Sequence, residues 1–294
     1  MIRLIIDSTC DMPKELIDRY HVEVLPLFVT VGEESYRDRV DITLEEIYAI
    51  MRKGIAPKTS QISSGDTEAL FRKICEAGDD LIYLTFSSGM SGTFQLARML
   101  MADIREDYPE RRLEAVDSEG GSLGSGLVAM QAARWIAQGR SFDEVTDLMR
   151  QMIPKMRHLF TLDSLSWLAK GGRITSATGY FGDKLHIKPL LRVENKTLHV
   201  MRVIRGRKAT LKLLVKMMTE ETGGRADQLI GIAHADDPEA AQTIEKMVKD
   251  AIPDARTVIL PIGCVLGAHL GIGGVGLLYA AAPVEGYDLL DEDI

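Results

Sequence analysis

The sequence predicts an α/β protein of two domains: a mostly parallel sheet with helices on both faces over residues 1–157, then an α+β domain over residues 158–294. Three observations predict it. The chain has 294 residues, 46% of them hydrophobic and 27% charged, which suits two cores of roughly 150 residues in an ordinary globular composition. The first half repeats a short apolar run, a polar loop and an amphipathic stretch, the pattern of strand–helix crossovers in a parallel sheet. After about Met156 that alternation gives way to hairpin-forming pairs mixed with helices.

In chain order, Ile2–Ile6 is a short apolar strand ending in Asp7-Ser8-Thr9. Asp11-Met12-Pro13 then opens a helix, with the acid as cap and the proline in the first turn. Val22–Val31 reads as one strand with Pro26 at a bend or sheet edge. Asp66 and Thr67 begin an amphipathic helix to Ala77, and Leu81–Phe86 is a buried strand. Ser91–Arg105, Gly124–Ala137 and Ser141–Lys155 read as helices. Ile187–Val193 and Leu198–Val203 flank Glu194-Asn195-Lys196, a hairpin signal. A helix starts at Lys208, with Leu211, Leu214, Val215 and Met218 on one face. Leu229–Ala233 and Val258–Ile262 are strands separated by a helix that Asp237-Pro238 starts.

Composition excludes several classes of function. Lys and Arg total 35 against 43 Asp and Glu, a net charge of −8, with only 6% aromatic residues. Neither the charge nor the stacking surface suits a nucleic-acid partner. The three cysteines, Cys10, Cys75 and Cys264, are too scattered for a disulfide framework or a zinc site. No apolar run reaches the ~20 residues of a membrane span, and Asp7 interrupts the N-terminus too early for a signal peptide. A reducing cytoplasm is the expected location. Fourteen methionines suit a core or pocket that adapts to flexible apolar groups.

Four polar, glycine-bearing segments stand out. Lys58-Thr59-Ser60-Gln61-Ile62-Ser63 precedes a helix and reads as a cap or as a hydroxyl-rich binding edge. Ser87-Ser88-Gly89-Met90-Ser91-Gly92-Thr93 joins a strand to a helix. Loops at the carboxyl ends of parallel strands face the ligand crevice, and free amides at a helix N-terminus suit a carboxylate or phosphate. The G-x-x-x-x-G-K-[ST] nucleotide pattern is absent. Lys170-Gly171-Gly172-Arg173 reads as a helix C-cap that turns Arg173 back onto a neighbouring surface. In Gly267-Ala268-His269-Leu270-Gly271-Ile272-Gly273-Gly274 a lone histidine sits among glycines, read either as a structural residue or as part of a site.

Together with Asp7-Ser8-Thr9-Cys10-Asp11, Leu165 to Arg173 and Ile187-Lys188-Pro189, these motifs resemble, in order and nearly end to end, the DegV family. The resemblance implies a Rossmann-like N-terminal domain, a C-terminal α+β domain and a lipid site between them. It implies a bacterial fatty-acid-binding protein that is not itself an enzyme, holding a long-chain fatty acid such as palmitate and no other cofactor. Some family members carry the acyl group for a fatty acid kinase whose separate ATP-binding subunit makes an acyl phosphate. By the same resemblance, Thr59 and Ser91 hold the carboxylate through their hydroxyls, with the amides near Gly92 and Thr93 assisting. Arg173 and His269 complete the head-group network and supply positive potential, and Arg205 docks the kinase subunit. A transient membrane contact is also implied. Ile62 and Ile272 stand where the family usually has proline.

The physical chemistry of such a ligand agrees. Burying ~14 methylenes at roughly 0.8 kcal/mol each yields on the order of 11 kcal/mol before ordering costs. The carboxylate must be hydrogen-bonded or much of that gain is cancelled. Arg205 and Arg207, followed by Lys208, Lys212 and Lys216, form a local basic patch on an acidic chain. A second class of function is an enzyme acting on a small carboxylated or phosphorylated metabolite, with Ser91 as nucleophile and His269 as base.

Overall fold

The computed structural model describes residues 1–174 and 187–289. Four parallel strands build the first sheet in the order β2-β1-β6-β7: β1 (Ile2–Asp7), β2 (Glu23–Leu25), β6 (Asp80–Thr85) and β7 (Leu113–Asp117). Helices α3 (Ser64–Glu76) and α4 (Thr93–Asp107) pack together and against β6 and β7. Helices α1 (Lys14–Tyr20), α5 (Ser122–Ala137) and α6 (Phe142–Met152) form a second set, with α5 against β1 and α6 against β7. The expected parallel sheet with helices on both faces is present.

Pro26 does more than bend a strand. It separates β2 from β3 (Phe28–Val31), which leaves the parallel sheet and pairs antiparallel with β4 (Glu34–Arg37) and β5 (Lys58–Ser60). The single strand expected over Val22–Val31 is therefore two strands in two sheets. Between β4 and β5 lies α2 (Leu44–Arg52), which Thr43 and Glu46 open with a reciprocal capping box.

Six strands form the second sheet, in the order β10-β9-β8-β13-β11-β12. They are β8 (Met156–Thr161), β9 (Ile187–Glu194), β10 (Thr197–Arg205), β11 (Leu229–His234), β12 (Arg256–Pro261) and β13 (Val275–Ala280). All pairs are antiparallel except β11 with β12, which the crossover helix α9 (Pro238–Ala251) connects. Asp237 caps α9 by accepting from Ala240 N–H, as its sequence promises. Helices α8 (Arg207–Thr222) and α9 bury one face of this sheet around Leu214, Met218, Ile244 and Val248. The other face meets α5, while α10 (Cys264–Leu270) packs against α2, β3 and the short α7 (Ser166–Lys170). Of the 16 residues of α5, 13 are buried, because it touches both β1 and β11.

Two junctions fasten the sheets together. The tight turn between β9 and β10 has positive φ at Asn195 and Lys196. Its tip lies on the loop after β6: Ser87 Oγ donates to the Lys196 carbonyl at 2.7 Å, and Lys196 Nζ donates to Asp117 at 2.9 Å. A Cβ at Gly89 would come within 2.5 Å of that carbonyl, so the approach requires glycine. The second junction is Asp11, which is not the cap of α1; Pro13 occupies that position. The Asp11 carboxylate instead accepts from Arg39 at 2.6 Å, from Ser122 Oγ at 2.5 Å and from Gly263 N–H at 3.0 Å, joining the starts of α5 and α10.

Candidate functional site

A cavity of about 890 Å³, counting its mouth, lies between the inner face of the six-stranded sheet and the loops above the parallel sheet. Its sheet wall follows the two-residue alternation of a strand: His158 and Phe160 on β8, then Leu162 beyond it, face the cavity, with Gly276 and Leu278 opposite them on β13. Val193 and Leu198 extend this wall on β9 and β10. Phe86, Leu168, Val265 and Leu270 line other parts of it, and the lining is predominantly apolar.

The polar residues Thr59, Gln61, Ser91, Arg173 and His269 all line this cavity. Thr59, on β5, lies 2.7 Å from His269 Nε2, in the last turn of α10. Ser91 Oγ accepts from Thr93 N–H at 3.3 Å and pairs with the Thr93 hydroxyl at 2.9 Å. Gly92 and Thr93 themselves do not line the cavity. Thr93 is buried behind Ser91, and a Cβ at Gly92 would meet Gln61 Oε1 at 2.5 Å. Arg173 follows Gly172, whose φ of +68° swings it back until its guanidinium reaches the Gly171 carbonyl at 2.7 Å. Thr59, Ser91, Arg173 and His269, which the sequence nominates from four separate segments, all line this one cavity. Sequence reasoning gave no role of its own to Gln61, although that residue lies two positions from Thr59 in a segment already singled out.

The segment around His269 is ordered helix rather than free loop. Gly267 lies against Tyr48, whose hydroxyl donates to the Ile262 carbonyl at 2.9 Å, and Gly271 has a φ of +78° against Trp167. The His269 ring rests on Gly171, where a Cβ would overlap Nδ1, and that nitrogen has no hydrogen-bond partner. Burial, and secondarily Arg173, push its pKa down to about 4. The imidazole is therefore neutral, and positive potential at this end comes from Arg173 alone of the two. With the ring proton on Nε2, the imidazole donates to Thr59 Oγ1, and the Thr59 hydroxyl hydrogen is free for an anion. Because Nε2 is engaged by Thr59, and Nδ1 carries no orienting carboxylate among the described residues, the Ser91–His269 nucleophile–base geometry is not assembled.

His158 is a residue that sequence reasoning missed. It is 9% exposed, and its Nε2 accepts from Gly121 N–H at 3.4 Å, at the start of α5. The ring occupies a notch that side chains at Gly120 and Gly124 would fill. Burial, reinforced by Arg157, pushes its pKa down to about 4. The signal was a lone histidine in the alternating apolar series Met156, His158, Phe160, Leu162.

Burial pushes Asp7 and Asp11 up to about 6, against hydrogen bonds and, for Asp11, the Arg39 charge, which act in the opposite direction. These carboxyls take up protons in the folded state first, so acidification from about pH 7 to about pH 5 adds stability through them. The two imidazoles act oppositely: the unfolded chain protonates first, and stability falls over the same window, by about 2 kcal/mol for each. His269→Gln should therefore show a change in unfolding free energy between those pH values about 2 kcal/mol more favourable to acid than the parent. Urea titrations of both proteins at the two pH values measure it; identical pH dependence would mean that folding leaves the His269 pKa unshifted.

Among the described residues no helix is long and apolar enough to cross a membrane. A family model described as "Uncharacterised protein, DegV family" matches residues 1–282. A DegV domain-containing protein of Clostridium perfringens is 34% identical over 276 residues, covering 93% of this chain and 95% of that one. A solved structure described as fatty acid binding of a DegV family protein from Thermus thermophilus superposes with a TM-score of 0.86 at 28% identity, over 95% of this chain and 99% of that one. A stearic-acid-binding protein from Eubacterium ventriosum superposes with a TM-score of 0.84 at 28% identity, over 95% and 97% of the two chains.

Proposed function

The chain belongs to the DegV family, and from that premise we propose that it binds a long-chain fatty acid such as palmitate and presents the carboxylate to a separate ATP-dependent kinase subunit. The observation that carries the binding reading is the Thr59–His269 pair at 2.7 Å, set in the wall of a predominantly apolar cavity that Ser91 and Arg173 also line. An acid with a long tail matches both parts: the tail replaces water along Phe160, Leu162 and Leu198, and the head group accepts from hydroxyls. Thr59 and Ser91 bind the carboxylate directly, with the amides of Gly92 and Thr93 behind Ser91, and Arg173 provides the compensating charge. His269 fixes Thr59. In this reading the protein carries the substrate and the partner supplies the phosphoryl chemistry.

The division at residues 157 and 158 is part of the same proposal, since β8 opens the second sheet at Met156. So are a cytoplasmic location and a transient membrane contact for loading. For the kinase we assign Arg205, exposed at the end of β10, with the exposed Lys208, Lys212 and Lys216 of α8 beside it. Arg207 is withdrawn from that surface: it is held by Asp237 at 2.7 Å and by the Gly273 carbonyl at 2.6 Å. One preparation tests the whole reading. Solvent extraction of the purified protein followed by mass spectrometry should release a long-chain fatty acid; a polar metabolite in its place would reject lipid binding. Arg205→Ala should retain that lipid, yet lose acyl phosphate formation with kinase and ATP at limiting protein. Unchanged turnover would remove Arg205 from the docking face.

A further inference from the structure

The six-stranded sheet is incomplete beside the cavity. β9 and β10 pair along their length, from Ile187 with Arg205 to Glu194 with Thr197. β9 pairs with β8 only from Leu190 to Arg192, which leaves Met156, Arg157 and His158 at the start of β8 without β9 partners. A polar cleft occupies the gap, lined by those three residues on one side and by Arg192 to Lys196 on the other. Past Arg192 the hairpin is therefore a two-stranded flap at the edge of the sheet. Its paired residues Val193 and Leu198 face the cavity. Val193 and His158 line both the cavity and the cleft, and so form the seam between them.

A two-stranded ribbon has little stability of its own, so the flap depends on what holds its tip. Lys196 Nζ donates to Asp117 at 2.9 Å and lies 3.4 Å from Glu119, and Ser87 Oγ donates to the Lys196 carbonyl at 2.7 Å. Asp117 is itself fixed, accepting from Ser88 N–H at 3.1 Å, Ser88 Oγ at 2.5 Å and Glu119 N–H at 3.0 Å. None of Ser87, Asp117 and Lys196 lines the cavity. They hold its wall without touching what it contains.

We propose that the tip of the β9–β10 hairpin is the latch of the lipid cavity. When Lys196 leaves Asp117 the flap lifts, the seam between Val193 and His158 opens into the cleft, and the ligand exchanges through it. This rests on the fatty acid reading above and adds the route by which the acid enters and leaves. A contact made equally by the empty and the filled protein sets the rate of passage and leaves the affinity unchanged.

Stopped-flow mixing of delipidated protein with cis-parinarate, a fluorescent long-chain acid, measures association; displacement by palmitate measures dissociation. Lys196→Met, at a part-exposed side chain, should raise both rates about ten-fold and keep Kd within about three-fold of the parent. Ser87→Ala, which removes the other tip contact, should act in the same direction, and the two together should exceed either. Dissociation from the parent should quicken as salt shortens the screening length from about 30 to about 10 Å, and dissociation from Lys196→Met should not. Unchanged rates in both variants would overturn the latch. So would faster dissociation alone, which would make Lys196 a binding residue. Either result leaves fatty acid binding standing, whereas failure of the delipidated parent to bind cis-parinarate or palmitate would overturn both readings.

Discussion

Thr59→Ala combined with Ser91→Ala should leave a folded protein whose affinity for fatty acid has fallen about a hundred-fold to ten-thousand-fold. The two hydroxyls lie on different elements, β5 and the loop before α4, yet line one cavity. Each hydrogen bond to a carboxylate contributes about 1.5–3 kcal/mol, and a carboxylate left without donors retains its desolvation cost. The competing interpretation is that Ser91 only orders the first turn of α4 through Thr93, at 2.9 and 3.3 Å. That interpretation predicts a lower melting temperature with unchanged affinity per folded molecule. Calorimetric titration of delipidated protein with palmitate, beside thermal unfolding, separates the two.

Gly171→Ala should lower fatty acid affinity at least ten-fold while disturbing the backbone little. Gly171 has ordinary helical torsions, φ −79° and ψ −10°, so alanine is tolerated there as a conformation. Its added methyl instead overlaps His269 Nδ1, and the ring cannot remain both there and 2.7 Å from Thr59. Gly172→Ala is the control with the opposite profile. Gly172 has a φ of +68° and open space around its Cα, so alanine there costs about 1 kcal/mol of stability and leaves His269 in place. If both variants bind palmitate like the parent, the Thr59–His269 pair does not set head-group affinity.

Much of the architecture was legible because it depends on local pattern. The apolar runs of β1, β6 and β11 and the Glu194-Asn195-Lys196 turn announce themselves, and Asp237-Pro238 starts a helix where it should. The capping box Thr43-x-x-Glu46 was equally readable and was overlooked, which cost α2. Helix α10 and strand β13 were hidden for a physical reason. Their glycines look like loop punctuation but serve close contacts: Gly267 with Tyr48, Gly276 with Phe160. In the site, single residues could be nominated but not paired. Thr59 and His269 are 210 positions apart, and Asp11 reaches Gly263 across 252, so no spacing rule connects them. His158 shows the converse limit. Its place in the alternation was visible, but the notch formed by Gly120 and Gly124 that seats its ring was not.

Helix α5 has implications for the order in which this chain can become a protein. It is covered on one side by β1, made early in synthesis, and on the other by β11 and β13, whose last residue is Ala280. A nascent chain that has completed α5 therefore holds a helix with Leu123, Leu127, Met130 and Trp135 in place and only part of its cover. At about 5–20 residues per second the missing strands follow some seven to thirty seconds later. Closure must then join segments remote in sequence, which makes the fold slow to form for its size. Throughout that interval the half-covered helix is the surface on which a holding chaperone, or an aggregate, would form first.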